Sequence, residues 1–418
     1  MPADIQTLYA APERRPSLHR SPTGRSRHIP IHDYPVHFSG TGSEYFRIWI
    51  VNLLLVIVTF GIYWPWARRR KLQYLYHCTW VDGHAFDFHG NPRSMLRGSL
   101  LAGVLLAVYG MGNRVAGGAS AVLIALLMVA LFPPLFRGSQ RFRLANTSWR
   151  GLRFHFTGTT GEAYRALLVP LLWLLLPGPL LAWGLDIDLS QLDRRGTLRT
   201  GTHAVVYQAW MLGSGVLFSL ALPYFYWRYK RYQQGHIRYG QEEMEYRATA
   251  ADYYRLLASG VGVFVALFLA GLLLVAGGAA LKRLVFGSGH ASFGMMLALS
   301  LLGSIAGFLL ALLVGRHWFK VRLYNLQWSR TGNRHLRLRT TLSLGRYLLL
   351  QFKNYLLIGL TLGLYWPYAV MATRRLVLES TVLRARMPLE RLHGSSRDGD
   401  NDAMGDAAME FVNFDFGL

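Results

Sequence analysis

The sequence predicts an α-helical polytopic membrane protein: about six crossing helices, two re-entrant or broken helical segments, and a cytoplasmic β-sheet built from hairpins inserted between helices. Three observations carry that prediction. First, residues 115–136, 204–227, 256–281 and 291–314 are apolar runs free of Lys, Arg, Asp and Glu. Each is close to the ~20 residues that a helix needs to cross ~30 Å of hydrocarbon. Second, the polar loops between the runs alternate apolar and polar residues with strand periodicity. Third, two nearly identical segments, NLLLVIVTFGIYWPWARRR from Asn52 and NYLLIGLTLGLYWPYAVMA from Asn354, carry a Gly and a Trp-Pro pair where a spanning helix should continue.

Two weaker runs complete the six. Residues 164–185 hold one charge, Arg165, and are broken by Pro170, Pro177 and Pro179. Residues 98–112 are shorter and fit a tilted span. Composition agrees, with 52% of 418 residues apolar and 16% charged. A count of 45 Lys and Arg against 22 Asp and Glu leaves a net charge of +23. Such basicity suits a nucleic-acid partner, but it suits the cytoplasmic loops of a membrane protein equally well. The apolar runs decide for the membrane. Cys78 is the only cysteine, which excludes an intramolecular disulfide and a cysteine-based metal site. Residues 1–35 read as a disordered basic tail that lacks the apolar core of a signal peptide. Residues 36–392 read as one integral membrane domain. Residues 393–418 read as a flexible tail, Gly/Asp-rich from Ser395 to Ala408, with a terminal strand from Phe411 to Phe416.

The strand-like loops are copies of one another. VHFSGTGSEYFR, FDFHGNPRSMLR, FHFTGTTGEAYR, MEYRATAADYYR and LRLRTTLSLGRY begin at Val36, Phe86, Phe154, Met244 and Leu336. In four of them an Arg follows the second apolar strand residue at a fixed offset: Phe38 to Arg47, Phe88 to Arg97, Phe156 to Arg165 and Tyr246 to Arg255. In the fifth, Leu338 leads to Tyr347, with Arg346 one residue earlier. A spacing kept four times marks an internal repeat. Turn residues give four of these strands an upstream antiparallel partner. Asp82-Gly83 and Arg150-Gly151 are two-residue turns, and Tyr239-Gly240 and Thr331-Gly332-Asn333 are looser ones. Strands are therefore expected near residues 36–39, 77–89, 145–157, 236–247 and 326–339. A lone hairpin is marginal in water, so these strands should share one sheet at the membrane surface.

That order constrains the topology. Every helix that follows a strand must leave the sheet in the same direction. If the Asn52 segment spanned fully, the next hairpin would lie on the wrong side of the membrane, and the Asn354 segment poses the same problem. A segment that enters, turns at Gly61 and returns through WPWARRRKLQYLY resolves the conflict. Gly363 and Pro367 allow the same turn in the second copy. Re-entrant backbone is tolerated where other helices bury it. The far-side loops then hold only Arg114, Arg194, Arg195, Arg199, Lys282 and Arg283 of the 45 basic residues, which puts the sheet and both termini in the cytoplasm.

The run GTGSEYFRIWIVNLLLVIVTFGIYWPWARRR, followed by TWVDGHAFDFHG, resembles the YjgN-like family of bacterial inner-membrane proteins, a domain-of-unknown-function family. NYLLIGLTLGLYWPYAVMATRRL resembles that family's C-terminal signature. The resemblance runs from about Pro35 to about Arg384, and residues 183–203 are less family-like. Its most specific motif is T-x-G-x-Y-W-P-x-A, from Thr59 to Ala67 and again from Thr361 to Ala369. It implies a multi-pass inner-membrane location and brings no activity or catalytic residue with it.

Three sets of residues are candidates for function. Asn52 and Asn354 each place an amide inside an apolar half-helix, where it needs a partner. One reading is a bond that holds the turn. The other is a polar pathway or substrate site formed with Thr59, Gly61, Thr361 and Gly363. Paired Gly/Pro-interrupted segments in corresponding halves point to a transporter's binding site. Arg47, Arg97, Arg165 and Arg255 read as interfacial anchors that reach lipid phosphates. The alternative is a ring around a central anion or lipid headgroup. The polar strand residues His37, Asp87, His155, Glu245 and Arg337 read as the solvated face of a half-buried sheet, with a divalent-metal site as the sharper alternative. No P-loop, dinucleotide fingerprint, HExxH or GxSxG stands in a convincing context. The chain is read as a non-enzyme without cofactor. Its expected partners are membrane lipids with anionic headgroups, not nucleic acid. The function expected first is transport or channel-like passage of a small solute or lipid past the broken helices. The alternative is a non-transporting scaffold or envelope-homeostasis protein that binds a partner or headgroups through its basic sheet.

Overall fold

The computed structural model of the protein describes residues 31–115, 118–185, 203–286, 293–386 and Leu389. One unit is used five times: a strand, a helix leaving the sheet, a helix returning, and a second strand. The first unit is β1 (His32–Phe38), α1 (Gly42–Val58), α2 (Trp64–His77) and β2 (Thr79–Val81). The second is β3 (His84–Phe88), α3 (Pro92–Val115), α4 (Gly118–Ala145) and β4 (Thr147–Trp149). The third is β5 (Leu152–Phe156), α5 (Thr160–Leu175) continued by α6 (Pro177–Gly184), α7 (Ala204–Gly235) and β6 (Ile237–Tyr239). The fourth is β7 (Glu242–Glu243) with β8 (Glu245–Tyr246), α8 (Ala250–Phe286), α9 (Phe293–Ser329) and β9 (Thr331–Gly332). The fifth is β10 (Leu336–Thr340), α10 (Leu344–Leu360), α11 (Trp366–Glu379) and β11 (Thr381–Ala385).

The strands form one antiparallel sheet in the order β7-β6-β5-β4-β3-β2-β1-β11-β10-β9-β8. Its two ends are consecutive pieces of one stretch. β7 pairs with β6 and β8 with β9, while Met244 between them donates its N–H to the Ile237 carbonyl at 2.8 Å. The sheet therefore closes on itself and leaves no long free edge. The turns explain the local pairing. Asp82 and Gly83 have φ of 49° and 70°, and Arg150 and Gly151 have 51° and 77°. Two successive left-handed residues make the turn whose twist matches a hairpin. Gly332 is required for another reason: a Cβ there would meet the Leu336 carbonyl oxygen at 2.6 Å.

Alternation fills the inside of the closed sheet. Val36, Val81, Trp149, Tyr239, Leu336 and Ala385 form one buried cluster, and Leu389 joins it. Burial of each large side chain contributes about 2 kcal/mol. The alternate residues His37, Asp87, Glu245 and Arg337 are exposed.

Five backbone hydrogen bonds of one kind close the five units at the base of their helices. Ser39 N–H donates to Cys78 at 2.9 Å, His89 to Asn146 at 2.8 Å, Thr157 to His236 at 2.9 Å, Arg247 to Arg330 at 2.9 Å and Thr341 to Ser380 at 3.0 Å. These bonds correct the register expected for the fifth copy. Thr340, not Leu338, is equivalent to Phe38. Tyr347 is equivalent to the buried Tyr45, and Leu349 takes the arginine position. A shift of two residues keeps every side chain on its own face, so alternation alone cannot detect it.

The main helix contacts run round in sequence, α1 to α2 to α3 to α4 to α5 to α7 to α8 to α9 to α10 to α11, and α11 packs against α1. Helices and sheet thus make concentric closed circuits. Among the described residues, four helical stretches are long and apolar enough to cross a membrane: Val122–Ala145, Ala204–Gly235, Ala250–Gly278 and Leu301–Ser329. α5 and α6, bent by 49° where Pro177 restarts the helix, make a fifth if they are one span. Residues 98–112, expected as a sixth, lie in α3, which is not among them. Arg97 and Arg114 leave only the short stretch between them uncharged. β1 starts at His32, inside the segment expected as a basic tail. Residues 1–30, residues 186–202 and the expected strand from Phe411 to Phe416 lie outside the described residues.

Candidate functional site

The two interrupted segments are helical hairpins, and their shared motif is turn chemistry. In the first, α1 ends at Val58, and Phe60 and Gly61 take φ of 50° and 90°. In the second, α10 ends at Leu360, and Leu362 and Gly363 take 49° and 94°. A glycine carries the larger positive φ without cost, whereas Phe60 and Leu362 are strained there. The threonine clasps the turn. Thr59 Oγ1 donates to the Leu55 carbonyl at 2.7 Å and accepts the Tyr63 N–H at 3.0 Å. Thr361 repeats this with Leu357 at 2.7 Å and Tyr365 at 3.0 Å. Pro65 and Pro367 fall in the first turn of the returning helices, where the missing N–H costs nothing.

Asn52 and Asn354 tie the two arms together. Each Nδ2 donates to a carbonyl on the returning helix, Ala67 and Ala369, at 3.4 Å in both cases. Asn354 Nδ2 also donates to Thr373 Oγ1 at 3.1 Å. The two amides are 8% and 2% exposed, and the Oδ1 atom of each is buried without a hydrogen-bond partner. Thr59, Gly61, Thr361 and Gly363 are thus spent on the turns, while each Asn keeps one unused acceptor.

The hairpins stand side by side. Trp49 packs on Trp366 with ring centroids 6.0 Å apart, and Phe46 on Tyr368 at 5.9 Å. Arg375 reaches across to the Gly40 carbonyl at 3.0 Å. Both hairpins are short. α1 and α10 have 17 residues, or about 25 Å of helix. α7, α8 and α9 have 32, 37 and 37 residues, or about 48–55 Å. The helix circuit therefore has a step, low where the two hairpins stand. Their tips are bare: Phe60 is 97% exposed and Leu362 95%. In α2 the basic run Arg68, Arg69, Arg70, Lys71 begins about one turn below the tip.

Alignment of the units makes the Trp-Pro interruption itself part of the repeat. Counted back from Cys78, Asn146, His236 and Ser380, the same position holds Pro65, Pro133, Pro223 and Pro367. All four are buried. In α4 and α7 that proline lies inside a continuous helix. Proline alone therefore does not break the chain; the left-handed pair at the tip does. The fourth unit has His317 at this position. Sequence reasoning missed it, because beside Arg316 and Lys320 it resembles an ordinary charged helix end.

The repeated arginines are exposed at the base of their outgoing helices. Arg47, Arg97, Arg165 and Arg255 are all exposed, while Tyr45, Met95, Ala163 and Tyr253, two residues earlier, are buried in the packing of their own units. Each arginine thus lies off the buried face of its own unit. Arg255 also pairs with Asp252 at 3.5 Å. Among the described residues, no three His, Cys, Asp or Glu side chains are grouped to hold a metal.

A mostly helical chain with several apolar spanning helices, closed over a sheet drawn from all its units, defines a multi-pass membrane protein. It belongs to the family described as bacterial protein of unknown function (DUF898), which matches residues 33–411. The chain is similar to Inner membrane protein YjgN of Escherichia coli (strain K12), at 34% identity over 134 residues, 31% of this chain and 32% of that protein. It is similar to the protein of that name from Salmonella typhimurium, at 27% over 134 residues, 32% and 34% of the two chains. The protein of that name from Escherichia coli O157:H7 is 45% identical over 60 residues, 14% and 15%. The matched stretches span at most about a third of these relatives. No solved structure matches the chain.

Proposed function

We propose that the protein lies in the bacterial inner membrane with its sheet and both termini cytoplasmic, and gives an amphiphile or lipid a lateral path past the paired hairpins. One observation carries this reading: two adjacent helical hairpins whose helices are about half as long as α7, α8 and α9 of the same circuit. With the sheet on the cytoplasmic side, the hairpin tips enter one leaflet and turn back. Beyond their tips the wall of helices is open on that side. The basic run at Arg68 limits insertion of the first hairpin to about 10 Å, the depth of an interfacial segment. The filled interior of the sheet argues against an axial aqueous route. Passage is therefore lateral, and its cargo is a molecule already in the membrane. Sidedness follows from the concentration of Lys and Arg on the sheet side. Proteoliposomes with a fluorescent lipid test the reading. The protein should speed exchange of that lipid between leaflets, and Phe60→Ser with Leu362→Ser should slow it. Wild-type vesicles that exchange lipid no faster than empty ones overturn it.

The exposed arginines favour a second reading, a platform that holds anionic headgroups without moving them. Vesicle binding that falls with loss of these arginines, in a protein without exchange activity, selects it. Neither reading needs a cofactor or catalytic residue.

A further inference from the structure

We propose that a cleft on the outer face of the sheet, across β3, β4 and β5, binds a sugar phosphate between Arg150 and Arg153 on one side and His84 and Asp87 on the other. The cleft has a volume of about 660 Å³, within the range of small-ligand sites. Its lining includes no residue of the paired hairpins, so the site is independent of lateral passage.

Small side chains make the cleft. Asp87 pairs with Ser148 and Ser148 with Arg153, so these three residues share one face of the sheet. Ala85, two residues before Asp87, lies on that face as well. Ala85 and Ser148 leave a depression that the longer neighbours wall in. The lining runs from Gly83 and Gly151, in the two turns, to His89, just before α3. Each turn joins a returning strand to an outgoing one and therefore lies at the end of the strands away from the helices. The cleft opens there, away from the helices.

The β4–β5 side supplies cations. Arg153 is exposed and, among the described residues, has no hydrogen-bond or ion-pair partner. Arg150 is held in place: its Nη1 donates to Asp82 Oδ2 at 2.8 Å, and its guanidinium lies 5.8 Å from the Trp149 ring centroid. Its backbone has φ of 51°, in a turn position that favours Asn, Asp or Gly. Asp82 holds the same position in the other hairpin. An arginine kept there against the local preference points to a use for its side chain. A guanidinium presents paired donors that match a phosphate.

The β3 side supplies acceptors. His84 Nδ1 lies 2.7 Å from the Asp82 carbonyl oxygen, which can only accept. The proton is therefore on Nδ1, and Nε2 of the neutral ring is an acceptor. Asp87 Oδ1 accepts the Phe88 N–H at 2.7 Å, and Oδ2 lies 3.8 Å from His89 Nδ1. Both oxygens keep room for a further donor. His89 Nε2 is engaged with Ser148 Oγ at 2.8 Å. With Asp82 counted, the two arginines and two carboxylates cancel, so a bare anion gains little here. A ligand with a phosphate for the arginines and hydroxyls for Asp87 and His84 uses both sides. A sugar phosphate carries both groups.

The test is isothermal titration calorimetry on the full-length protein in zwitterionic nanodiscs, with ribose 5-phosphate, inorganic phosphate and ribose as probes. Ribose 5-phosphate should bind about tenfold more tightly than inorganic phosphate, and ribose should give no measurable heat. Arg153→Ala should weaken ribose 5-phosphate about tenfold. Asp87→Asn keeps the acceptor for the Phe88 N–H and removes the charge. It should strengthen inorganic phosphate and bring the two phosphates to within about twofold of each other. Both residues are exposed, so neither change threatens the fold. Equal affinity of the wild type for the two phosphates reduces the cleft to a patch of arginine and overturns the proposal. So does a ribose 5-phosphate affinity that is undetectable, or that is unchanged in Arg153→Ala. Nanodiscs containing phosphatidylglycerol, at fixed ionic strength, separate a lipid source of the same phosphate ester. Unchanged affinity for ribose 5-phosphate supports a soluble ligand, whereas a loss of about tenfold gives the cleft to headgroups and overturns it.

Discussion

Phe60 and Leu362 are the most exposed apolar residues of their hairpins, and both sit in left-handed backbone. That conformation costs a non-glycine residue about 1 kcal/mol. Phe60→Gly and Leu362→Gly should therefore each raise stability in detergent by about 0.5–1 kcal/mol, read by thermal unfolding. The same changes should weaken lipid exchange, because the apolar tip is gone. Loss of stability would mean that these side chains pack on protein, not lipid. The asparagines differ in degree. Asn354 makes two side-chain hydrogen bonds and Asn52 one, so Asn354→Ala should cost about 1 kcal/mol more than Asn52→Ala in the same assay. The amides were legible as buried polar groups in apolar helices. That their partners are the carbonyls of Ala67 and Ala369 was not, because a backbone acceptor leaves no mark in side-chain sequence.

At the scale of elements, the two-residue turns were the most legible feature, since Asp82-Gly83 and Arg150-Gly151 supply residues that tolerate positive φ. The fifth copy reads two residues out of register because Leu336, Leu338 and Thr340 alternate equally well in either alignment. The helix circuit makes the arginines a test of the sheet's position. Substituting Arg47, Arg97, Arg165 and Arg255 singly by Ala should change stability by less than about 0.5 kcal/mol. Together the four should reduce binding to anionic vesicles by about 1 kcal/mol each, and Leu349→Arg should restore part of it. Vesicle flotation measures this, and binding unchanged in the quadruple variant places the arginines away from lipid. The sheet should also respond to alkali. Burial pushes the Tyr239 hydroxyl up to about 12. It donates to the Trp149 carbonyl at 2.9 Å inside the closed sheet. A raised folded value favours the protonated form, so its contribution is complete below the ordinary tyrosine value near 10 and is lost as pH rises from ~10 to ~12. Tyr239→Phe should be less stable at neutral pH and should lack that alkaline loss, as followed by near-ultraviolet circular dichroism.

For the molecule as a whole, sequence order alone implies the architecture: each strand followed by an outgoing helix forces an even number of crossings between hairpins. What it lacks is closure. The pairing of β7 and β8 to opposite neighbours depends on Met244 and its flanking glutamates, a stretch with no turn residue to announce it. His317 is invisible for a related reason. Next to Arg316 and Lys320 it resembles an ordinary charged helix end, and only alignment of all five units sets it against four prolines.

The central claim is that the paired hairpins enter one leaflet and turn back, leaving the circuit of helices open beyond them. Burial pushes the Cys78 thiol up, and its replacement by Ala leaves a cysteine-free background. Spin labels placed at Phe60→Cys and Leu362→Cys in liposomes, with depth read from collisions with oxygen and a water-soluble nickel complex, test the claim directly. The Phe60 label should lie about 10 Å below the phosphates of the leaflet that faces the sheet, and the Leu362 label within the same leaflet. Labels at the headgroups of the opposite leaflet would make each hairpin a full crossing and contradict it.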